Sequence, residues 1–215
     1  AMCFTDPPYN VDYGKGGGSF AVRRNKRTIQ NDCLSPEEWD RFVRGWAGNL
    51  LAAVDGALYI CMSTREWPTM CAILADLGAH WSDSIIWAKD RFVPGRADYQ
   101  RSFEPVFYGW REGVKHQWHG GRTQGDVWHI ERPSDSDAHP TMKPLPLVEK
   151  AINNSSKPGD VVLDLFLGSG STLIAADRTG RLCFGMEISE HYGSVVLARW
   201  ECFSGQEAVC LSRSS

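Results

Sequence analysis

The chain has 215 residues, of which 42% are hydrophobic and 23% are charged, and its formal net charge is −3. This length suits one domain with a sizeable core, and we find neither a signal peptide nor a stretch apolar enough to span a bilayer. Seven cysteines without metal-type C-x-x-C pairs predict reduced thiols, no metal site and a cytoplasmic protein rather than a disulfide-stapled secreted domain.

The first predicted element is a short apolar strand that runs into Asp6-Pro7-Pro8-Tyr9. Proline has a fixed φ and no N–H, and it pushes the preceding residue toward extended geometry. These four residues, called the acceptor ledge below, therefore present two hydrogen-bond acceptors, the Asp6 carboxylate and the Pro7 carbonyl, beside the flat ring of Tyr9. Two acceptors next to an aromatic face suit an exocyclic amino group on a planar ring, so we predict that the ledge is catalytic.

A glycine-rich and basic segment follows the ledge, and we predict a mobile loop over residues 10–32. Residues 10–27 hold five Lys or Arg against one acidic residue, and residues 88–125 hold seven against four. Two basic segments on an acidic body favour a local footprint for nucleic acid, although two ordinary solvated loops would show the same pattern.

Helices and strands alternate along the rest of the chain. Ser35-Pro36-Glu37-Glu38 predicts a helix start, with Ser35 as the cap and Glu38 three residues after it. The alternation predicts an α/β fold with a parallel sheet. The predicted helices begin near residues 35, 65, 145, 172 and 189, and the predicted later strands cover residues 57–62, 84–88, 103–109, 161–166, 182–187 and 207–211.

A glycine-rich turn joins the strand 161–166 to the next helix. The turn contains Gly168-Ser169-Gly170, and the following strand ends at Glu187, which lies 19 residues after Gly168. This spacing is typical of a carboxylate that binds ribose hydroxyls. A dinucleotide site would need a third glycine, which 171–173 does not supply. A ligand without phosphates fits better, and S-adenosylmethionine (AdoMet) is such a ligand.

Three motifs together resemble those of the DNA amino-methyltransferases. The acceptor ledge resembles motif IV, His139-Pro140-Thr141-Met142-Lys143-Pro144 resembles motif X, and residues 164–172 resemble motif I. Many relatives have Pro where Leu165 stands, a departure that affects the stiffness of the turn more than ligand contact. The order IV, X, I is that of the circularly permuted β class. The resemblance covers nearly the whole chain and implies a Rossmann-like AdoMet-dependent methyltransferase fold.

The resemblance also implies how the chain is organised. We expect a single methyltransferase domain over residues 1–215. Its catalytic half covers residues 1–90 and its AdoMet-binding half residues 139–215. Residues 91–138 between them form a small target-recognition insertion.

Roles for the cofactor-binding residues follow from the same resemblance. Glu187 is expected to bind the ribose hydroxyls and Phe166 to lie against the cofactor. Asp164 is expected to pair with the methionine ammonium, and Lys143 to face the methionine carboxylate. We interpret His139 as a structural residue. The remaining residues expected to contact the cofactor are Thr141, Gly168, Ser169, Gly170, Ser171 and Thr172.

DNA is the expected partner, with no membrane involved. Basic side chains in the two basic segments are candidates for phosphate or guanine contacts. A homodimer and a restriction endonuclease partner stay open. Tryptophans 110, 118 and 128 are interpreted as a small satellite core rather than as base-stacking residues. The candidate DNA-binding residues are Lys15, Arg23, Arg24, Arg96, Arg101, Lys115 and Arg122.

The function predicted from these motifs is methyl transfer to N6 of adenine in DNA. An aspartate before Pro-Pro-Tyr favours adenine over cytosine, as a family tendency. Cytosine-N4 methylation on the same fold is the first alternative. An RNA or protein-glutamine methyltransferase is another, although those enzymes more often show Asn-Pro-Pro-Tyr and the unpermuted motif order. A catalytically silent DNA-binding regulator is the alternative from a different class.

Overall fold

The computed structural model describes residues 1–12, 29–93, 98–133 and 142–211. This part of the chain forms one sheet with helices on both faces. The strands in it are β1 (Met2–Thr5), β2 (Leu58–Cys61), β3 (Ala79–Val93), β4 (Arg101–Arg111), β5 (Val127–His129), β6 (Val161–Asp164) and β7 (Leu182–Gly185). The helices are α1 (Pro36–Ala53), α2 (Trp67–Asp76), α3 (Leu145–Ser155), α4 (Ser171–Arg178) and α5 (Glu190–Ser204). Within the described ranges, no helix has the length and apolar character that a membrane crossing requires.

The strands lie in the order β5-β3-β4-β2-β1-β6-β7. The predicted α/β fold is confirmed, but the sheet is mixed rather than parallel, because β4 runs antiparallel to both β2 and β3. Only residues 94–100 separate β3 from β4. A parallel pair needs a crossover of about a dozen residues or more, so a connection this short dictates an antiparallel pair.

Two further predictions about strands differ from the structure. Residues 207–211 were predicted to form a last strand, but they carry no strand. The three-residue strand β5 was not predicted, because an element this short has no detectable alternation. With β4 and β5, the segment predicted as a recognition insertion supplies two strands of the main sheet.

The start of α1 follows the predicted capping pattern. The Ser35 side chain accepts a hydrogen bond from the Glu38 backbone N–H, and the Ser35 N–H donates to Glu38 Oε2 at 3.0 Å. Reciprocal capping satisfies two donors that the first turn of a helix otherwise leaves unpaired. The helix therefore begins where the local sequence predicts.

Alternate residues of β2 face two separate core clusters. Leu58 and Ile60 pack with α1 and α2 on one face of the sheet. Tyr59 and Cys61 pack with α3 and α4 on the other. The Tyr59 hydroxyl lies 2.8 Å from the Ser155 Oγ of α3, which satisfies both polar groups in the core. Burial on both faces is typical of a central strand in an α/β sheet.

Trp110 and Trp128 pack against the main core, whereas Trp118 is 40% exposed, so the prediction that the three tryptophans form a separate satellite core is wrong. Trp128 is 3% exposed and belongs to the cluster that contains Tyr59. Its indole N–H donates to the Gly125 carbonyl at 2.9 Å. Trp110 packs against the same cluster, because β4 lies inside the sheet rather than beyond its edge.

The centre of the sheet contains a topological switch point. β1 is followed by α1 and β2 on one side, whereas β6 is followed by α4 and β7 on the other. β1 and β6 are parallel neighbours, with Cys3 opposite Leu163. Connections that leave in opposite directions open a crevice at the carboxyl ends of the two strands, where α/β proteins bind their ligands. The acceptor ledge and the glycine turn both begin at this crevice.

Candidate active site

The acceptor ledge directly follows β1, and the segment that precedes α1 holds its far end in place. Asp32, which is 4% exposed, accepts hydrogen bonds from the backbone N–H groups of Tyr9 at 3.1 Å and Val11 at 3.2 Å. Asn10 exchanges two hydrogen bonds with the backbone of Leu34. These contacts fix both ends of the predicted mobile loop, and sequence reasoning missed Asp32 because it lay inside that loop.

The side chains of the ledge join a buried cluster of ionisable groups. The Tyr9 hydroxyl donates to Asp6 Oδ1 at 2.6 Å. The Lys143 ammonium donates to Asp6 Oδ2 at 2.7 Å and to the Tyr9 hydroxyl at 3.1 Å, and it lies 3.2 Å from Glu104 Oε2. The other oxygen of Glu104 accepts from Lys89 at 2.5 Å. Two carboxylates and two ammonium groups thus balance each other at the mouth of the crevice, an arrangement that buried charges require.

The protonation states of this cluster follow from burial and from its ion pairs. Burial raises the pKa of Asp6 above its ordinary value, an effect that Lys143 opposes and Glu104 reinforces. Burial alone would also raise the pKa of Glu104, but the ammonium groups of Lys143 and Lys89 bring it down to about 2. Burial disfavours the Lys143 ammonium, yet the two carboxylates raise its pKa above the ordinary value. Glu104 is therefore the more firmly ionised carboxylate of the two.

Glu104 and Lys89 were not singled out from the sequence, although each carries a signal. Glu104 interrupts an otherwise apolar strand, and a charge in such a place is usually paired. Lys89 follows the predicted strand 84–88 at its carboxyl end, where α/β proteins collect functional residues. What the sequence could not show is that these two residues join Asp6 and Lys143, which lie 137 positions apart in the chain.

The glycine turn lies on the other side of the crevice, between β6 and α4. Gly168 and Gly170 have φ values of 54° and 84°, the left-handed region that favours glycine. A Cβ on Gly170 would also lie 3.1 Å from Val196 Cγ1 of α5. The backbone therefore approaches α5 closely here, and only glycine permits the turn without strain.

Asp164 ties the start of the turn to the end of β1, directly before the acceptor ledge. Its Oδ1 accepts from the Thr5 hydroxyl at 2.7 Å and from the Phe166 N–H at 3.0 Å. Burial raises the pKa of Asp164 to about 6, against the lowering effect of hydrogen bonds from Thr172, Thr5 and Phe166. The carboxylate is thus directed into the protein, and its predicted contact with a methionine ammonium stays a prediction.

Glu187 follows β7 and faces the turn. Its two oxygens accept from the N–H groups of Gly168 and Ser189, both at 2.8 Å. A carboxylate has about four acceptor positions, so each oxygen can accept a further hydrogen bond. A half-buried carboxylate beside a turn that has glycine at positions 168 and 170 fits the ribose of a nucleoside, and the predicted cofactor therefore suits this site. Phe166 contacts Phe42 and Trp46 of α1, with ring centroids 6.0 Å apart in each case.

The remaining predicted cofactor residues are buried around the turn. Ser169, Ser171 and Thr172 are each less than 10% exposed, and the Ser169 carbonyl accepts a hydrogen bond from Arg199. The Lys143 ammonium is held by Asp6 of the ledge and by Glu104. Its predicted contact with the methionine carboxylate stays a prediction. Thr141 and His139 lie outside the described residues.

The described candidate DNA-binding residues fall at different places on the sheet. Arg101 is exposed at the start of β4, three residues before Glu104 and therefore at the edge that carries the ledge. Lys115 is exposed beyond the end of β4, at the opposite edge, where Arg111 pairs with Ala79 at the start of β3. The exposed Arg122 lies in the connection to β5. Lys15, Arg23, Arg24 and Arg96 lie outside the described residues.

The switch point, and the two loops that leave it, are those of a Rossmann-like α/β fold, as predicted. A family model described as "DNA methylase", that of the N6 and N4 enzymes, matches residues 1–197. The chain therefore belongs to the N6/N4 DNA methylase family. This confirms the family predicted from the three motifs, and with it the cofactor, since AdoMet is the methyl donor of this family.

Two curated relatives match most of the chain. The Type II methyltransferase M2.LlaDCHI of Lactococcus lactis subsp. cremoris is 26% identical over 220 residues, which cover 92% of this chain and 81% of that protein. The Type II methyltransferase M1.MboII of Moraxella bovis is 27% identical over 235 residues, which cover 89% and 85%. The chain thus spans most of the length of both proteins.

Solved structures share the fold. The M1.HpyAVI–SAM complex superposes with a TM-score of 0.67 at 24% identity, covering 92% of this chain and 87% of that one. The cytosine-N4-specific PvuII DNA methyltransferase has a TM-score of 0.72 at 16% identity, covering 93% and 79%. TTHA0409 of Thermus thermophilus, in complex with S-adenosyl-L-methionine, has a TM-score of 0.62 at 23% identity, covering 94% and 86%. At these identities the likeness describes the fold.

Proposed function

We propose that this protein transfers the methyl group of AdoMet to N6 of an adenine in DNA. The observation that carries the proposal is the meeting of the acceptor ledge and the glycine turn in one crevice. The hydrogen bond of 2.7 Å between Thr5 and Asp164 joins the last residues of β1 and β6, from which the two loops leave. A donor bound at the turn and an amine bound at the ledge would therefore be neighbours, and positioning of this kind is a large part of enzymatic rate enhancement.

The ledge has the chemistry that an aromatic amine requires. AdoMet supplies an electrophilic methyl group on a sulfonium centre. The lone pair of the target amine is delocalised into the base, so the amine is a weak nucleophile. Asp6 and the Pro7 carbonyl accept its two N–H bonds and favour a tetrahedral nitrogen with a localised lone pair. The nitrogen becomes acidic only after methylation, when Asp6 takes the proton or passes it to water.

A base inside a duplex does not reach this ledge. The target nucleotide must leave the stack, at a cost of a few kcal/mol, and stacking on an aromatic side chain recovers part of that free energy. Tyr9 is the aromatic residue of the ledge, and its half-buried ring is fixed by the hydrogen bond from its hydroxyl to Asp6. We therefore assign the flipped base to the Tyr9 ring.

Cytosine-N4 methylation is the second candidate function. The PvuII enzyme, whose fold superposes on this one, is named as cytosine-N4-specific. The same pair of acceptors would bind the amino group of cytosine. Asp6 before Pro-Pro-Tyr supports adenine as the first choice.

The names of the two Type II relatives support a role beside a restriction endonuclease.

The class of acceptor is tested with AdoMet that carries a tritiated methyl group. We expect label in duplex DNA, and the label should become soluble after DNase digestion. RNA and total protein should stay unlabelled under the same conditions. Label that resists DNase but yields to RNase or protease would overturn the proposal, as would AdoMet binding without any transfer.

The geometry also predicts which basic residue contacts the DNA backbone. Arg101 lies at the edge of the ledge, so Arg101→Glu should weaken DNA binding and reduce the slope of log affinity against log salt by about one. Fluorescence anisotropy at several salt concentrations measures that slope. Lys115→Glu makes the same charge change at the opposite edge and should leave the slope unaltered. Equal effects of the two substitutions would contradict the proposed DNA-binding edge.

A further inference from the structure

Both oxygens of the Asp6 carboxylate already accept hydrogen bonds within the protein. Asp6 Oδ1 accepts from the Tyr9 hydroxyl at 2.6 Å, and Asp6 Oδ2 accepts from the Lys143 ammonium at 2.7 Å. Under the proposed function, a target amine also needs an oxygen of Asp6. Asp6 can accept further hydrogen bonds, but Oδ2 then divides its negative charge between the amine and the Lys143 ammonium, so its hold on that ammonium weakens when the amine arrives.

A buried ammonium that gives up a carboxylate needs another one. Lys143 is 7% exposed, and an unpaired charge at such a place is strongly destabilising. Glu104 Oε2 lies 3.2 Å from the same ammonium and supplies this second carboxylate. Tyr9 also accepts from the ammonium at 3.1 Å, but its hydroxyl carries no charge at neutral pH.

The position of Glu104 in the sheet and its ion pair with Lys89 keep the side chain in place and ionised. It lies in β4, between neighbours β2 and β3, rather than in a loop. Its other oxygen accepts from Lys89, whose side chain is 6% exposed, at 2.5 Å. Lys89 thus fixes one oxygen of the carboxylate, and the second oxygen is directed to Lys143.

We propose that Glu104 is a positioning residue for methyl transfer, which retains the Lys143 ammonium while Asp6 accepts the target amine. The inference rests on the proposed function of the ledge. It assigns Glu104 no contact with the reacting atoms. Its effect on the reaction passes through Lys143.

The proposal predicts how the rate depends on pH. The charged and titratable groups around Asp6 are Lys143, Glu104, Tyr9, Cys61 of β2 and Asp164 of β6. Lys89 reaches the cluster through Glu104. A neighbouring negative charge raises the pKa of Asp6, so Glu104→Gln should lower it. Lys143 would then pair with Asp6 alone, which lowers that pKa further.

Glu104→Gln should therefore lower the rate of methyl transfer and also change its dependence on pH. The single-turnover rate at neutral pH should fall about ten-fold or more, because Lys143 holds Asp6 against the amine. The acid limb of the rate profile should nevertheless move to lower pH. AdoMet affinity, measured by calorimetry, should stay within about three-fold.

Glu104→Asp keeps the charge and should restore the position of the acid limb. Glu112→Gln, at an exposed carboxylate just after β4, is the matched control for loss of one charge.

A double-mutant cycle separates positioning from packing. In a Lys143→Met background, Glu104→Gln should change the rate less than about three-fold, since the ammonium that it positions is gone. An equal loss in both backgrounds would overturn the proposal, and so would an acid limb that stays in place.

The pKa of Asp6 is also measured directly, by carboxyl ¹³C NMR of the protein without substrate. We expect a lower pKa in Glu104→Gln, and an unchanged value would overturn the proposal. An inactive wild-type protein would contradict the proposed function and would leave this NMR test in force.

Discussion

Asp6→Ala is expected to reduce the single-turnover rate of methyl transfer by at least about 100-fold, the scale seen when one preorganised polar group is removed from a transition state. Asp6 supplies the charged acceptor of the ledge, and the Pro7 carbonyl alone does not localise the lone pair of the amine. AdoMet binding should stay within about three-fold of wild type, because the glycine turn and Glu187 lie across the crevice from Asp6. Filter binding of labelled DNA after rapid quench gives the rate, and calorimetry gives the affinity.

The control for Asp6→Ala is Asp55→Ala, which removes an exposed carboxylate in the turn before β2. In Asp6→Ala the Lys143 ammonium keeps Glu104 at 3.2 Å, so the fold should survive, and thermal unfolding checks this. A variant that folds, binds AdoMet and retains wild-type rate would show that the ledge does not carry the chemistry.

Glu187→Ala is expected to weaken AdoMet binding about 10- to 100-fold, which corresponds to the loss of about one hydrogen bond to a charged group. The carboxylate has free acceptor capacity for ribose hydroxyls while it holds the N–H groups of Gly168 and Ser189. Its removal takes away the ribose contact and loosens the turn. Isothermal titration calorimetry with the folded variant measures the dissociation constant.

Two comparisons sharpen the Glu187 experiment. Glu187→Gln keeps an oxygen acceptor without the charge and should fall between wild type and alanine. Glu190→Ala changes an exposed carboxylate in the first turn of α5 and should leave the affinity unaltered. An unchanged dissociation constant in Glu187→Ala would remove this residue from the cofactor site.

Features of the protein that depend on neighbouring residues could be predicted from the sequence. The Ser35–Glu38 cap is one, since it requires only four residues in order. The glycine turn is another, because Gly168 and Gly170 occupy backbone conformations that other residues adopt at a cost. The permuted order of the three motifs then sufficed for the family, which the match over residues 1–197 confirms.

Features that depend on contacts across the sheet could not be predicted. The direction of β4 follows from the short connection after β3, but the sequence understated the length of β3 and so hid how short that connection is. The partner of Lys143 is a second case. A resemblance places this lysine in motif X, whereas the pairing with Asp6 and Glu104 arises from three distant segments that the sheet brings together.

The central claim is that the Asp6 ledge directs the methyl group of AdoMet to an exocyclic amine of DNA. The direct test is to incubate the protein with unmethylated duplex DNA and AdoMet that carries a ¹³C-methyl group. The DNA is then digested to nucleosides for mass spectrometry. We expect labelled N6-methyladenine with the wild-type protein and none with Asp6→Ala. Labelled N4-methylcytosine would keep the ledge mechanism and change the base. Label on a ring carbon such as C5 of cytosine, or wild-type levels of product from Asp6→Ala, would contradict the account.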